Sequence, residues 1–506
     1  MDIIGILSAG KRIKLDHKIK LVPPVEINTN FREVFHFNYF RSYDSDASNL
    51  LYLRSSTLYL FHQLAEKTFL IVLGSPGIGK SITVWTWLCT RMTSAPSGRS
   101  AMWVSLPEES AVKFSDGEMS RCCGKFEESM IADIDVLVLD GLKSSDWNSW
   151  FGLALRACSS GCKVILVTSA QVKVDEGQVL RKGGSQVLMQ PWSLEEYQEA
   201  CKYDPFFQRV VGNLGGTVGA SYSAEEKSDL VERKYATSGF SARWTFDITE
   251  EKAVESSITA IDRCSDPRAL LNGIQGSRST DAVNHLVFSF GAGKSAVVSS
   301  FVCRKLAAKC DRQFIVAAYH ASAMTNNPAF DGWVLELDVL YHIRKDQMAN
   351  KVKVLGTDGQ FLDRDDSFQC SEVIEFVDRF FDSADRRTRY PVHCWFIPRK
   401  FNNGGFDAVQ LRCEGGQYRL RFLQVTRAKT HGLKLHFMKS FADAFNAAVD
   451  EDLRATAVEI VIVTAMHSAK DFVIPTHAQV VGSLSEYSWS LCDLIVAGFD
   501  KTLFDK

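Results

Sequence analysis

The sequence predicts a multidomain α/β protein in which a parallel sheet, a helical segment and a second sheet follow one another along the chain. Three observations predict it. An apolar run leads into a glycine-rich loop and then a helix over residues 68–92. Helical spacing dominates about residues 225–325, and the last third reads helix, strand, strand, strand, helix, strand. Because 506 residues exceed what one core supports, we expect roughly three domains.

The glycine-rich loop fills every fixed position of the pattern G-x-x-x-x-G-K-[ST]; its residues are Gly74, Ser75, Pro76, Gly77, Ile78, Gly79, Lys80 and Ser81. Such glycines let backbone N–H groups point inward, and the following helix directs its positive end at the β- and γ-phosphates. Lys80 is expected to neutralise phosphate charge, and the Ser81 hydroxyl to ligate Mg²⁺. The pattern predicts a P-loop that binds a nucleoside triphosphate such as ATP. A chance glycine loop in another α/β protein is the alternative.

Two later strands end in polar residues that suit the same site. Asp140 ends an apolar strand and is the predicted carboxylate for the metal, although an aspartate that caps a turn with Gly141 would look the same. Thr168 ends the next strand, either as a sensor of the γ-phosphate or as an ordinary polar strand end. Many ATPases of this kind carry a glutamate where this chain has Gly141. Hydrolysis is therefore less firmly indicated than binding.

The predicted domain boundaries follow changes in these patterns. Five apolar segments predict a parallel sheet, and they lie at residues 68–73, 101–105, 134–140, 163–168 and 186–190. We predict an N-terminal arm over residues 1–30, a P-loop core over 31–200, a helical lid or linker over 201–325 and a C-terminal domain over 326–506. A winged helix is one form that the lid could take. A second glycine segment at residues 290–295 lacks the first glycine of a P-loop and is expected to begin a helix instead.

Composition and charge narrow the classes of function. The formal net charge of −2 excludes a globally basic, histone-like nucleic-acid binder. The 13 cysteines include no C-x-x-C pair, which suits buried thiols in a reducing compartment better than zinc or disulfides. No apolar run approaches the roughly 18 residues of a membrane span. The basic cluster at residues 11–14 follows the first apolar block, so no signal peptide is expected; it is either a weak nuclear-import signal or a solvated arm.

The order of elements in the last third, α-β-β-β-α-β, is the core of restriction-endonuclease-like nucleases. Its hairpin turns at two glycines, Gly415 and Gly416, and this turn sets Asp407 opposite Gln424 on one face. A carboxylate and an amide oxygen so placed suit a hard divalent cation. A polar hairpin face with a non-catalytic aspartate is the alternative.

Metal-assisted hydrolysis of a phosphodiester also needs further charge at this site. Glu336, on the preceding helix, is the predicted third ligand, and Lys429 or His431 the predicted charge partner. Gln424 stands where such nucleases commonly have an acid, and Thr426 where they commonly have lysine. The sequence therefore meets the requirement incompletely.

The whole chain resembles Crinkler-type effectors and the related retrotransposon hot spot proteins. Beside the P-loop, the motifs that carry the resemblance run in family order over about residues 30–440; they are Pro191-Trp-Ser-Leu-Glu-Glu-Tyr197, Gly239-Phe-Ser-Ala-Arg-Trp244, Asp331-Gly-Trp-Val-Leu-Glu336, Phe406-Asp-Ala408 and Gln424-Val-Thr426.

The resemblance implies an AAA-like or STAND-like P-loop ATPase, a helical linker and a C-terminal nuclease-like toxin domain that acts on DNA. It implies that Arg243 is a lid arginine that senses the γ-phosphate, and that Glu336, Asp407 and Gln424 bind metal. Members of this family are secreted virulence factors that act in the host nucleus, on DNA or on nuclear proteins. This sequence has no recognisable signal peptide and lacks the family's N-terminal translocation header, which argues against secretion by that route.

The combined hypothesis is an ATP- and Mg²⁺-dependent switch coupled to a metal-dependent DNA nuclease. One alternative is a nucleotide-gated interaction protein that binds DNA or a host protein without cutting, which Gln424 and Thr426 favour. The other is a pure ATPase, against which Gly141 argues. The sequence leaves the oligomeric state open.

Overall fold

The computed structural model describes residues 15–20, 24–34, 49–94, 98–107, 110–122, 128–131, 133–143, 145–169, 176–181, 183–264, 286–291, 294–309, 312–325, 328–348, 351–355, 360, 368–376, 381, 389–398, 405–430, 432–473, 480–481 and 490–499. The chain divides into two compact units. The first comprises Met1–Arg263 and Asn272–Ser295, and the second comprises Cys264–Leu271 and Ala296–Lys506. The basic cluster at residues 11–14 lies outside the described residues.

The first unit contains strands β1 to β12 and helices α1 to α8. The strands are β1 (Leu15–Lys20), β2 (Val25–Asn28), β3 (Phe31–Val34), β4 (Asn49–Tyr52), β5 (Phe69–Leu73), β6 (Ser100–Ser105), β7 (Ser110–Ser115), β8 (Glu118–Cys122), β9 (Val136–Leu142), β10 (Lys163–Thr168), β11 (Ser185–Leu188) and β12 (Val287–Gly291). The helices are α1 (Ser55–Glu66), α2 (Lys80–Thr93), α3 (Trp147–Ser159), α4 (Glu176–Arg181), α5 (Leu194–Cys201), α6 (Asp204–Val210), α7 (Ala224–Ser238) and α8 (Glu250–Asp262). A 3₁₀ turn spans Glu128–Ile131, and a π-helical turn spans Arg243–Asp247.

The main sheet of the first unit has eight strands in the order β1-β8-β7-β6-β9-β10-β5-β11. The five predicted strands β6, β9, β10, β5 and β11 are present and run parallel. Their nearly continuous burial explains the apolar runs in the sequence, since both faces of a parallel sheet are covered. Three antiparallel strands, β7, β8 and β1, extend the β6 edge. The alternation of Leu15 and Ile19 with polar residues indicates a strand at β1, whereas β7 and β8 were not predicted.

Helices cover both faces of the parallel part of this sheet. On one face, Phe151 and Ala154 of α3 pack with Phe69 and Leu137 of the sheet in one buried cluster. On the other face, the Trp85 ring of α2 lies 5.2 Å from that of Trp103 on β6, measured between centroids. Strands β2, β3 and β4 form a separate antiparallel sheet. The order of strands puts β10 between β5, which leads into the glycine loop, and β9, which carries Asp140.

The second unit is built on a seven-stranded sheet. Among the described residues, ten strands are assigned to this unit, seven of them in that sheet. They are β13 (Lys294–Val297, whose first two residues precede the boundary of the unit), β14 (Val352–Val354), β15 (Glu372–Phe376), β16 (Cys394–Pro398), β17 (Ala408–Glu414), β18 (Gln417–Val425), β19 (Leu433–Lys434), β20 (Ala455–Ala465), β21 (Val480–Val481) and β22 (Ser490–Phe499). Its helices are α9 (Ser300–Lys309), α10 (Arg312–Thr325), α11 (Pro328–Arg344), α12 (Leu435–Ala448) and α13 (Met466–Ala469), with a 3₁₀ turn at Glu451–Leu453. The sheet runs β14-β22-β20-β18-β17-β16-β15, and β19 and β21 form a parallel pair.

One helix packs on each face of the seven-stranded sheet. Met438 and Phe441 of α12 pack in a buried cluster with Phe422 of β18. Leu335 and Val339 of α11 belong to a second buried cluster, on the opposite face of the sheet. Leu423, the neighbour of Phe422, belongs to the cluster of α11. Alternate residues of β18 therefore face opposite helices, as strand geometry requires.

The elements predicted for the last third are all present, with ends displaced by only a few residues. The predicted hairpin register is confirmed, because Glu414 pairs with Gln417 and Ala408 with Leu423. The helix expected to begin at residues 290–295 is a correction: the described part of that segment lies in β12 and β13, and α9 begins only at Ser300.

The predicted lid over residues 201–325 contributes to both units. Helices α6, α7 and α8 belong to the first unit, and α9 and α10 belong to the second. The boundaries at residues 30, 200 and 325 stay predictions. Of the helices in the described part of the chain, none has the length and apolar character needed to cross a membrane.

Candidate functional site

The glycine loop connects β5 to α2, and the chain around it is tightly packed. Gly77 has φ +77°, a conformation that residues with a Cβ atom rarely adopt. A Cβ atom at Gly77 would lie 2.5 Å from Oγ of Ser241 and 3.0 Å from Cβ of Arg243. Glycine is therefore required here both by the backbone and by the segment packed against it.

The residues predicted to hold phosphate and metal come together at this loop. Nζ of Lys80 donates hydrogen bonds to the carbonyl oxygens of Gly74 and Ser75, each at 2.7 Å. Oγ of Ser81 donates to Oδ1 of Asp140 at 2.9 Å, across the intervening strand β10. A hydroxyl and a carboxylate oxygen this close are hard oxygen donors of the kind that Mg²⁺ prefers. The residues present thus fit a P-loop with its metal ligands.

The ammonium group of Lys80 is buried at this site. Burial lowers its pKa to about 7; the charge of Asp140 opposes this decrease, and the charge of Arg243 adds to it. A bound polyphosphate would supply the negative charge that the buried ammonium lacks.

Thr168 and Gly141 meet at an irregularity in the pairing of β9 with β10. The register shifts between Val167 and Thr168, and the hydroxyl of Thr168 donates to the carbonyl oxygen of Leu142 at 2.7 Å. Gly141 has φ +83°, and a Cβ atom there would lie 2.4 Å from Cδ of Pro107. Position 141, next to Asp140, therefore has no room for the glutamate that many ATPases of this kind carry there.

Arg243 reaches the loop through its backbone. Its N–H donates to the carbonyl oxygen of Gly77 at 3.1 Å, and its side-chain charge acts on Lys80. It begins the π-helical turn that follows α7, which ends at Ser238 and is capped by Gly239. The structure thus brings Arg243 beside the P-loop through a backbone contact that the sequence did not indicate, and its role as a sensor of the γ-phosphate stays a prediction.

Trp192 also holds the loop, and the sequence analysis missed this role. Its indole Nε1–H donates to the carbonyl oxygen of Ile78 at 3.1 Å. Trp192 lies just before Ser193, which caps α5 in a reciprocal capping box with Glu196. The only signal in the sequence was the presence of Trp192 in the segment 191–197.

Arg54 supports this arrangement from the start of α1, and nothing in the sequence indicated it. Arg54 as a whole is 3% exposed. Its guanidinium donates to the carbonyl oxygens of Gln190 and, at 3.4 Å, Pro191, and lies 3.3 Å from a carboxylate oxygen of Glu196. It also lies 5.0 Å from the centroid of the Trp192 ring. Burial lowers the pKa of Arg54, and the charge of Glu196 opposes this decrease.

In the second unit, two of the predicted metal ligands meet at an arginine. The guanidinium of Arg304, on α9, forms a salt bridge with Glu336 of α11 and lies 3.8 Å from Oδ1 of Asp407. The other carboxylate oxygen of Asp407 accepts a hydrogen bond of 2.7 Å from the N–H of Val425. The structure therefore brings Glu336 and Asp407 to one place, with a cationic side chain between them.

Gln424 is buried, but strand alternation places it on the face of α12 with Phe422, whereas Leu423 faces α11. Within the described residues, its amide oxygen accepts no hydrogen bond. Lys429 is exposed, and no contact of its side chain with Glu336 or Asp407 occurs there. His431 lies outside the described residues. The structure does not gather Gln424 and Lys429 around the two carboxylates.

No cluster of three or more histidine, cysteine, aspartate or glutamate side chains with metal-binding geometry occurs among the described residues. The two carboxylates at Arg304 are thus short of the ligand set expected of a metal-dependent nuclease.

Comparison with known proteins finds matches among solved structures alone. No protein-family model matches the chain, and no curated protein does. Among solved structures, the chain is similar to domain III of the replication initiation protein DnaA from Thermotoga maritima, with 12% identity over 40% of this chain and 91% of that one and a TM-score of 0.23.

Two further solved structures are similar at the same level. One was determined for katanin self-assembly, with 13% identity over 49% of this chain and 74% of that one and a TM-score of 0.22. The other is a DNA replication initiation factor, with 13% identity over 58% of this chain and 85% of that one and a TM-score of 0.22. The assignment of a P-loop fold to the first unit therefore depends on the geometry of residues 74–81 and their neighbours.

Proposed function

We propose that the first unit binds a nucleoside triphosphate with Mg²⁺ and acts as a nucleotide-dependent switch. The observation that carries the proposal is the meeting of Lys80, Ser81 and Asp140 at the glycine loop. Ser81 and Asp140 would hold the metal, and the backbone N–H groups of the loop would hold the phosphates. Bound Mg²⁺ would neutralise part of the phosphate charge.

The switch would depend on a change of partner for Lys80. Without nucleotide, its ammonium group is held by the carbonyls of Gly74 and Ser75. A triphosphate offers stronger, charged acceptors, and a shift of the lysine releases both carbonyls. The backbone of Arg243 contacts the loop at Gly77, and in this proposal its side chain would respond to a γ-phosphate. Contacts made to a triphosphate and lost with a diphosphate would supply the difference in free energy between the two states.

Slow turnover is part of the proposal. Efficient hydrolysis requires a group that orients or deprotonates the attacking water. Position 141 cannot supply it, because Pro107 fills the space that a side chain there would need. Occupancy of the site by nucleotide, more than its rate of hydrolysis, would then set the state of the protein.

For the second unit, the resemblance to Crinkler-type effectors is the basis of the proposal. It suggests a protein of the host nucleus that acts on DNA or on a nuclear protein, with the domain boundaries given above. Two modes of action are consistent with that resemblance: Mg²⁺-dependent cleavage of DNA, and binding without cleavage. The contacts of Arg304 with Glu336 and Asp407 favour binding without cleavage, since a guanidinium lies where cleavage needs a metal.

Nucleotide binding to the full chain tests the first proposal. Titration calorimetry with ATP and Mg²⁺ should show binding that is weakened about a hundredfold or more by Lys80→Ala, since a charge-assisted contact to phosphate is lost. Lys252→Ala is the matched control, because Lys252 is an exposed lysine of α8 in the same unit. Equal affinity for ATP in wild type and Lys80→Ala would show that the P-loop does not bind the nucleotide.

Plasmid nicking with Mg²⁺ tests the second unit separately. We expect no nicking above background by the wild-type protein, and no difference on substitution of Asp407→Ala. Nicking by the wild type that Asp407→Ala abolishes would establish cleavage as the mode of action.

A further inference from the structure

In the second unit, Arg304 forms salt bridges with Glu336 and Asp407. These salt bridges explain why the two carboxylates lie close together. Side chains of Arg304, Glu336 and Asp407 are only 14%, 12% and 22% exposed. Two carboxylates that are largely removed from water repel each other and lose hydration, so they need a positive charge between them. Arg304 supplies that charge from the same chain.

The carboxylate of Asp407 is held in place independently of Arg304, and the backbone of Glu336 is held by the helix that carries it. Asp407 is fixed through Val425, because the backbone N–H of Val425 donates to Oδ2 and the backbone N–H of Asp407 donates to the carbonyl of Leu423 at 2.7 Å. Glu336 lies within α11, between the buried residues Leu335 and Leu337. The remaining oxygen of Asp407 and a carboxylate oxygen of Glu336 are the atoms that lie near the guanidinium.

A divalent cation and the guanidinium would use these same oxygens. Hard cations such as Mg²⁺ and Mn²⁺ bind carboxylate oxygens at about 2 Å, which leaves no room for an arginine head group in the same place. Cation and guanidinium therefore exclude each other at this site. An arginine guanidinium is always charged at neutral pH, so Arg304 competes with a cation for these oxygens.

We propose that Arg304 acts as a built-in cation that closes the Glu336–Asp407 pair to divalent metal, and that a metal site forms there only when this side chain is removed or withdrawn. The proposal concerns the second unit alone and does not depend on nucleotide binding by the first. In this proposal Arg304 occupies the place of a metal ion. The second unit, as its structure shows it, is then in a state that cannot bind metal at Glu336 and Asp407.

Binding of Mn²⁺ to the full-length protein, followed by electron paramagnetic resonance in the absence of nucleotide, tests the proposal. The variant Arg304→Gln removes the charge while retaining a polar side chain. We expect it to bind one more Mn²⁺ per chain than the wild type, at least about tenfold more tightly than any residual wild-type binding at this pair. The double variants Arg304→Gln/Asp407→Asn and Arg304→Gln/Glu336→Gln should lose that ion.

This design separates the pair from the P-loop, since Ser81 and Asp140 are unchanged in every variant. A folded Arg304→Gln protein that binds no additional Mn²⁺ overturns the proposal. So does a wild-type protein that binds Mn²⁺ and loses it on Asp407→Asn, a comparison that remains decisive if Arg304→Gln fails to fold. Wild-type binding that Asp407→Asn does not change supports a closed pair.

Discussion

The indole N–H of Trp192 donates a hydrogen bond of 3.1 Å to the carbonyl oxygen of Ile78. Ile78 is in the middle of the P-loop, and Trp192 immediately precedes the cap of α5, so this bond joins the phosphate-binding loop to the start of the helices that follow the sheet. Together with the bond from the Arg243 N–H to Gly77, it fixes two successive carbonyls of the loop. The loop is therefore held from outside at two points before any ligand arrives.

Removing the indole donor should loosen the loop. In Trp192→Phe the ring is retained but the carbonyl of Ile78 loses its partner, at a cost of about 1 kcal/mol, or about a fivefold weaker affinity for ATP with Mg²⁺. Calorimetric titration with ATP and Mg²⁺ measures this loss of affinity. Trp333→Phe, on α11 of the second unit, is the matched control and should leave the affinity unchanged. A Trp192→Phe protein that binds ATP as tightly as the wild type would show that this bond does not shape the loop.

Nucleotide affinity should depend on pH through Lys80. Its pKa is about 7 in the folded protein without ligand, against 10.5 for a lysine in water, so the neutral amine predominates at about pH 8. A triphosphate favours the charged ammonium form and raises its pKa. Binding above pH 7 must then take up a proton, and affinity should fall by up to about tenfold per pH unit as the pH rises.

Calorimetry at about pH 8 in two buffers of different ionisation enthalpy measures this proton uptake. Lys80→Ala should take up none from this position. The same shift has a defined sign for stability without ligand: a lysine whose pKa is lowered on folding costs most below pH 7, and this cost disappears as the pH rises toward 10.5. Equal proton uptake by wild type and Lys80→Ala would contradict the assignment.

The contact of Gly141 with Pro107 should make position 141 sensitive to any side chain. Gly141→Ala combines an unfavourable φ of +83° with a Cβ atom that would lie only 2.4 Å from Cδ of Pro107. We expect a loss of about 2–4 kcal/mol in the free energy of unfolding. Gly161→Ala is the control, because Gly161 has φ +91° but open space where a Cβ would be. It should lose only about 1 kcal/mol.

Denaturant titration of the full chain, followed by a spectroscopic signal of the first unit, gives the free energy of unfolding of both variants. The double variant Pro107→Ala/Gly141→Ala should recover part of the loss, since the proline ring is the obstacle. Similar losses for Gly141→Ala and Gly161→Ala would mean that the backbone conformation alone, and not Pro107, restricts position 141.

Features that depend on nearby residues could be predicted from the sequence. The P-loop was visible because its glycines, lysine and serine are adjacent in the chain, and the register of the β17–β18 hairpin because a two-residue glycine turn fixes it. A usable signal was overlooked for β7 and β8: Asp116 and Gly117 form an Asp-Gly turn between them, with Asp116 at φ +47°.

Features that depend on distant residues could not be predicted. The pairing rule that set Asp407 opposite Gln424 holds only within a ladder, and β17 begins one residue later, at Ala408. Freed from the ladder, Asp407 bonds to the N–H of Val425 and reaches Arg304, about a hundred positions earlier in the chain. No local pattern specifies such a contact, since it depends on how α9 and α11 pack.

Arg54 limits how this protein can be cut into fragments for expression. A fragment that starts at the first apolar strand of the P-loop, near residue 68, would look complete from its motifs. Without Arg54 it would leave the carbonyls of Gln190 and Pro191 short of a donor and would deprive Glu196 of its countercharge beside Trp192. The shortest useful clone of the nucleotide-binding unit must therefore begin upstream of α1.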